Sequence, residues 1–283
     1  MPSSVSVALV QNNASASHTD NIGAVLAMMR QAAGKGAEFI GLPEYVSGFG
    51  ADANGDLELP TFIEAEHPAL QAFAAEAKRL GVVVHVGSLA IRAPDGRIAN
   101  RGFVLDRKGA ISARYDKIHL FDVDLGPGKV YRESKIVAPG NAAVVAPTPW
   151  GGLGMSICYD LRFAALYRAL AQDGAELLSV PAAFTKTTGL VHWHVLNRAR
   201  AIETGSFVLA ACQFGRFSGG SEAYGHSLII DPLGKVLADG GEGPALVMAT
   251  LNLADVASAR GRIPSLQHDR PFQRPARPAK AAE

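Results

Sequence analysis

The chain is poor in several things at once. Two cysteines, two tryptophans and a formal net charge of +1 are spread over 283 residues. With so small a charge there is no strong field, so nucleic acid and membrane surfaces are poor partners. Cys158 and Cys212 stand far apart in sequence, which fits a reducing, cytoplasmic compartment better than a disulfide framework. The start, Met-Pro-Ser-Ser-Val-Ser-Val, lacks a basic segment followed by an apolar run, so no signal peptide is expected. No apolar stretch approaches the ~18 residues that a spanning helix requires. CxxC, a phosphate-binding glycine loop and a Gly-x-Ser-x-Gly elbow are also missing.

What is present is 48% hydrophobic residues, enough for a large core. Short apolar runs alternate with helical patterns. Ser4–Val10, Glu38–Leu42, Val82–Ser88, Ala142–Ala146, Gly152–Ile157, Leu177–Val180, Phe207–Cys212, Ser227–Ile230 and Leu246–Thr250 read as strands. Helical spacing follows Thr19 or Asp20 up to Gly34, runs from Pro68 to Gly81, joins Leu161 to Leu170, and covers Val191–Thr204 before Gly205. Phe103–Asp106 and Ala110–Tyr115 flank a hairpin turn at Arg107-Lys108-Gly109. The string Phe103-Val-Leu-Asp-Arg-Lys-Gly is echoed by Leu228-Ile-Ile-Asp-Pro-Leu-Gly. Residues 121–140 show no period and read as a long loop, either functional or disordered. Mixed βα units and hairpins imply an α/β fold, either one mixed sheet or two packed sheets, with outer helices. One domain is expected over 1–269, with 270–283 as a C-terminal arm or disordered tail.

Candidate chemistry centres on Cys158, at the end of an apolar run and before a helix whose expected cap is Asp160. A helix dipole and exposed N–H groups there would favour thiolate; a buried structural cysteine is the alternative. Cys212, inside an apolar run, is read as structural. Lys117 and Glu44 end strands, where either a cleft or simple solvation accounts for them, and Glu133 lies in the long loop. His192 and His194, two apart on a helix, point to different faces and make a poor metal pair. Ser156 is read as packing.

Leu42-Pro-Glu-Tyr, Tyr115-Asp-Lys-Ile-His-Leu-Phe-Asp and Ser156-Ile-Cys-Tyr-Asp-Leu-Arg-Phe, in that order, resemble the nitrilase superfamily of carbon–nitrogen hydrolases. The resemblance runs from Val5 to about Arg270. It implies a single-domain α-β-β-α sandwich, often dimeric. It also implies catalytic Glu44, Lys117 and Cys158 assisted by Glu133, with no metal or other cofactor. The implied reaction is attack by Cys158 on a small carboxamide. Lys117 and the Tyr159 N–H would hold the oxyanion, and Glu44 would shuttle protons through a thioester intermediate. Arg132-Glu-Ser-Lys, Leu166-Tyr-Arg-Ala-Leu, Val180-Pro-Ala-Ala-Phe-Thr, Arg198-Ala-Arg-Ala-Ile-Glu and Tyr224-Gly-His-Ser resemble the branch acting on deaminated glutathione or on ω-amides of 2-oxo acids. Nitrile or N-carbamoyl amine hydrolysis, a non-catalytic binding role and a thiol redox role are the other readings. Arg162 is a candidate for pairing a substrate carboxylate, against a purely structural arginine, and Tyr45, Tyr131 and Phe184 are candidate pocket walls. The chain departs from the family pattern at Ala164-Ala165 and Gly205, and at His194, where relatives often carry glutamate.

Overall fold

The computed structural model describes residues 2–14, 17–51, 57–93, 95–126 and 130–273. Two sheets lie face to face, each covered on its outer side by helices. The first sheet runs in the order Val137–Ala138, Ile98–Leu105, Val83–Arg92, Phe39–Gly41, Ser4–Gln11 and Ala245–Asn252, and Ile111–Asp116 also pairs with Ile98–Leu105. The second runs Val145–Thr148, Gly151–Gly154, Ala175–Ser179, Phe207–Ala210, Leu228–Ile230 and Val236–Asp239. Helices α1 (His18–Gly34) and α2 (Pro68–Leu80) cover the first sheet; α3 (Ala164–Gln172) and α4 (Lys186–Thr204) cover the second. A fifth helix, α5 (Ala254–Arg262), follows the last strand.

The alternation of Ser4–Gln11 generates the layering. Val5, Val7 and Leu9 join the core between the sheets, whereas Ala8 and Val10 join the core under α1 and α2. The α-β-β-α expectation is met.

Boundaries moved where local signals were thin. Helix α1 is capped by Ser17, whose side chain accepts from the Asp20 N–H, two or three residues ahead of the expected start. Helix α4 begins at Lys186, because the apolar pattern on which its start was read is weak in the first turn. Pro68 does open α2, and Gly81 and Gly205 close α2 and α4 in the left-handed conformation. The region read as one long loop carries a short ribbon, Asp122–Asp124 with Val130–Arg132, set by backbone pairing rather than by an apolar period. Of the proposed tail, residues 274–283 lie outside the described residues. The two echoed strings fold alike. Asp106 accepts from the Lys108 and Ala110 N–H groups, and Asp231 accepts from those of Leu233 and Lys235. Gly109 and Gly234 take positive φ in the two turns.

Candidate active site

Glu44 leaves the end of Phe39–Gly41, and Lys117 follows Ile111–Asp116. Cys158 opens a five-residue 3-10 turn after Gly151–Gly154. Three strand ends from two sheets therefore converge on one buried cluster. Asp160 locks two of the segments together. Its carboxylate accepts from the Tyr115 hydroxyl at 2.7 Å, the His119 N–H at 3.0 Å and the Ile157 N–H at 2.8 Å. Tyr115 and His119 bracket Lys117, so pinning them to the cysteine turn delivers the lysine beside the thiol. The segment 181–183 fixes the third member. The Pro181 carbonyl accepts from the Cys158 N–H at 2.8 Å, and the Ala183 N–H donates to Glu44 Oε2 at 2.8 Å.

At the centre, Lys117 Nζ donates to Glu44 Oε1 at 2.9 Å and to Glu133 Oε1 and Oε2 at 3.0 and 2.9 Å. All three side chains are buried. Glu133 also accepts from the Phe121 N–H at 2.6 Å. Burial works against the Lys117 charge, but the Glu133 and Glu44 carboxylates outweigh it and hold the ammonium well above its ordinary range. Burial and the adjacent Glu44 carboxylate push the Cys158 thiol well up, although Lys117 pulls the other way.

That corrects the expectation of a dipole-stabilised thiolate. The turn after Cys158 is a short 3-10 segment and α3 begins only at Ala164, with Phe163 rather than Asp160 at its N-cap. The Cys158 N–H is already spent on Pro181. Two carboxylates and one ammonium leave the cluster one negative charge, and a thiolate would add a second. A proton passed from sulfur to Glu44 leaves the cluster charge unchanged.

Two residues that the sequence reading passed over complete the site. Asn100 Nδ2 donates to Glu44 Oε1 at 2.9 Å and to Glu133 Oε1 at 3.2 Å. Gln213 Nε2 donates to the Glu44 and Tyr45 carbonyls at 2.7 and 3.2 Å, fixing the backbone of the glutamate. Neither belongs to a short motif; polar residues in otherwise apolar runs were the only signal.

Among the expected wall residues, Tyr45 is buried and directs its hydroxyl to Glu133 at 3.4 Å. Burial, with Glu133 second, pushes its phenol up. Arg162 is half-buried, with its guanidinium 5.8 Å from the Tyr159 ring and 5.4 Å from the Phe184 ring. Tyr131 packs on Phe121, and Phe121 on Tyr159. The first 3-10 bond in this turn is donated by the Asp160 N–H, leaving the Tyr159 N–H ahead of it. Cys212 is fully buried outside this cluster, its thiol pushed up to about 12 by desolvation. Ser156 is buried and donates to the Ser179 carbonyl, as packing requires.

Tyr45 and Cys158 both take positive φ, 48° and 49°, a conformation that costs a non-glycine residue about 1–2 kcal/mol. Strain of this kind collects where surrounding structure aims a side chain. A family model for carbon-nitrogen hydrolases matches residues 6–261. The chain belongs to the carbon–nitrogen hydrolase family.

Family relatives share much of its length. It is 42% identical to a deaminated glutathione amidase of Yersinia enterocolitica, over 72% of each chain. It is 37% identical to the deaminated glutathione amidase of Homo sapiens, over 94% of this chain and 82% of that one. With omega-amidase NIT2 of Homo sapiens it shares 35% identity over 93% and 94%. Among solved structures, the Caenorhabditis elegans NitFhit protein superposes with a TM-score of 0.86 at 32% identity, covering 95% of this chain and 65% of that longer one. Saccharomyces cerevisiae Nit3, of the nitrilase superfamily, superposes with a TM-score of 0.81 at 26% identity, over 93% and 96%.

Proposed function

We propose that this carbon–nitrogen hydrolase cleaves a small carboxamide by cysteine catalysis. The observation that carries the reading is the buried Lys117 ammonium shared by Glu44 and Glu133, in a cluster with the buried Cys158 thiol. Glu44 takes the thiol proton as sulfur attacks the amide carbon. Lys117 and the Tyr159 N–H hold the oxyanion, charge that develops only in the transition state. Glu44 then protonates the leaving amine, a thioester forms, and Glu44 draws a proton from water to hydrolyse it. Glu133 holds Lys117 in place.

The substrate class follows from the relatives' names and from Arg162. A deaminated glutathione or an ω-amide of a 2-oxo acid carries a carboxylate distant from the amide, and a guanidinium at the cleft suits it. Tyr131 and Phe184 would flank such a substrate. Nitriles and N-carbamoyl amines are alternative substrates of the same cluster.

The protein works in the cytoplasm, where both thiols stay reduced. It pairs with a second copy through α4, whose Leu190, Val191, Val195 and Ile202 are 53–65% exposed. No helix among the described residues is long and apolar enough to cross a membrane.

Ammonia release from a panel of ω-amides, carbamoyl amino acids and nitriles separates the substrate classes. Cys158→Ala is expected to abolish turnover and to retain the wild-type circular dichroism spectrum. A trapped acyl adduct on Cys158 names nucleophile and substrate by its mass. Wild-type turnover in the alanine variant overturns the assignment.

A further inference from the structure

Away from the catalytic cluster, three side chains converge where α4 meets the edge of the second sheet. His194 Nε2 lies 3.0 Å from Asp239 Oδ2, and His226 Nδ1 lies 2.8 Å from Asp239 Oδ1. The three ligand atoms fall within 4.8 Å of one another. Among the described residues this is the one such grouping of three. His192, two positions from His194, takes no part in it and instead faces Arg162.

We propose that His194, His226 and Asp239 bind a divalent transition-metal ion, zinc by chemical preference. Two imidazoles and a carboxylate are the donor set that zinc takes, whereas magnesium and calcium require oxygen-rich shells. Zinc bonds of about 2.0–2.1 Å place neighbouring tetrahedral ligands roughly 3.3 Å apart; the imidazoles sit 3.0 and 2.8 Å from the two different oxygens of Asp239, and one ligand atom from each residue lies within 4.8 Å of the others. The side chains are 34%, 21% and 34% exposed in the single chain, so a further coordination position is open to a ligand from outside it.

The framework around them is fixed. His226 is the third non-glycine residue with positive φ, at 51°. Its N–H donates to the Gly241 carbonyl at 2.7 Å, and its carbonyl accepts from Trp193 Nε1 at 2.7 Å. The Tyr224 ring stacks on its imidazole with centroids 4.5 Å apart. Asp239 Oδ1 also accepts from the Gly241 N–H at 2.9 Å. Strained backbone, a stacked ring and a hydrogen-bonded carboxylate together preorganise a site, which is the feature that a salt-bridge cluster on a surface lacks. His194 stands at the position where the family pattern often has glutamate. Binding exchanges the two imidazole–carboxylate hydrogen bonds for metal bonds and ties α4 to the strand Val236–Asp239.

The test uses the tag-free full-length protein, stripped with a chelator and titrated with zinc against a fluorescent zinc indicator. One zinc ion per chain is expected. His194→Gln and Asp239→Asn, both at partly exposed positions, should each weaken binding by about tenfold or more. Zinc should raise Tm in the wild type and leave the His194→Gln protein unmoved. Cys158→Ala should bind zinc as the wild type does, and zinc K-edge absorption should show nitrogen and oxygen neighbours without sulfur. Failure to bind zinc at micromolar concentration, wild-type affinity in both site variants, or loss of binding in Cys158→Ala each overturns the proposal.

Discussion

Asn100 shows how much one uncharged side chain can matter inside a charged cluster. It donates to both carboxylates that Lys117 holds, and so helps to keep two buried negative charges side by side. Asn100→Asp is nearly isosteric but replaces a donor with a third carboxyl. The cluster must then hold an extra proton or an extra charge, and its members titrate together. We expect kcat to fall by about 10²-fold, in the range seen when a positioned general base is disturbed. The acid limb of the kcat–pH profile should move to higher pH. Unchanged kinetics in that variant would show that Asn100 merely fills space.

At the scale of elements, the cleft depends on a close approach of loops to the strand Val83–Arg92. Gly87 lies where the register of that strand against Ile98–Leu105 shifts between Val86 and Leu89. A Cβ at Gly87 would lie 2.1 Å from the Leu42 carbonyl oxygen, 2.5 Å from that of Pro43 and 2.5 Å from Pro181 Cβ. Those atoms belong to the segments that carry Glu44 and receive the Cys158 N–H. Gly87→Ala therefore forces apart the supports of two catalytic side chains. A loss of about 1–3 kcal/mol is expected from overpacking, read as a lower Tm, together with a lower kcat. Normal activity with only a lowered Tm would separate the support of the fold from the support of the site.

For the whole molecule, two buried histidines contribute to the loss of stability in mild acid. His67 is fully buried with neither ring nitrogen bonded, and desolvation, with His18 second, pulls it down to about 4. Desolvation takes His85 down to about 3. Both start from an ordinary value of 6.5. Below that value the unfolded chain binds protons that the folded chain refuses. Their stabilisation is complete above 6.5 and is lost as pH falls toward about 4 and about 3. Each should contribute up to about 1.4 kcal/mol per pH unit in its window. His67→Leu should flatten the fall of Tm with acid between those limits, and an unchanged slope would assign the acid response elsewhere. Sedimentation velocity should give a dimer, and Val195→Asp, placing charge on the exposed stripe of α4, should give a monomer of unchanged secondary structure.

The sequence by itself determined most of the strands and helices and the chemical inventory, whereas the stacking of two sheets was implied only by the family resemblance. Alternation in Ser4–Gln11 and apolar spacing on the helices are local records of burial, so they can be read without a partner in view. Three short strings were enough to suggest Glu44, Lys117 and Cys158 and the family that uses them. Tertiary structure alone decided how those residues are charged and who supports them. Asn100 and Gln213 act across 56 and 169 positions of chain on Glu44, and such separations leave no local period. The thiol's protonation depends on desolvation and on a carboxylate from another strand, neither of which is written around Cys158. His194 looked isolated for the same reason, since Asp239 and His226 reach it only once α4 is laid on the sheet.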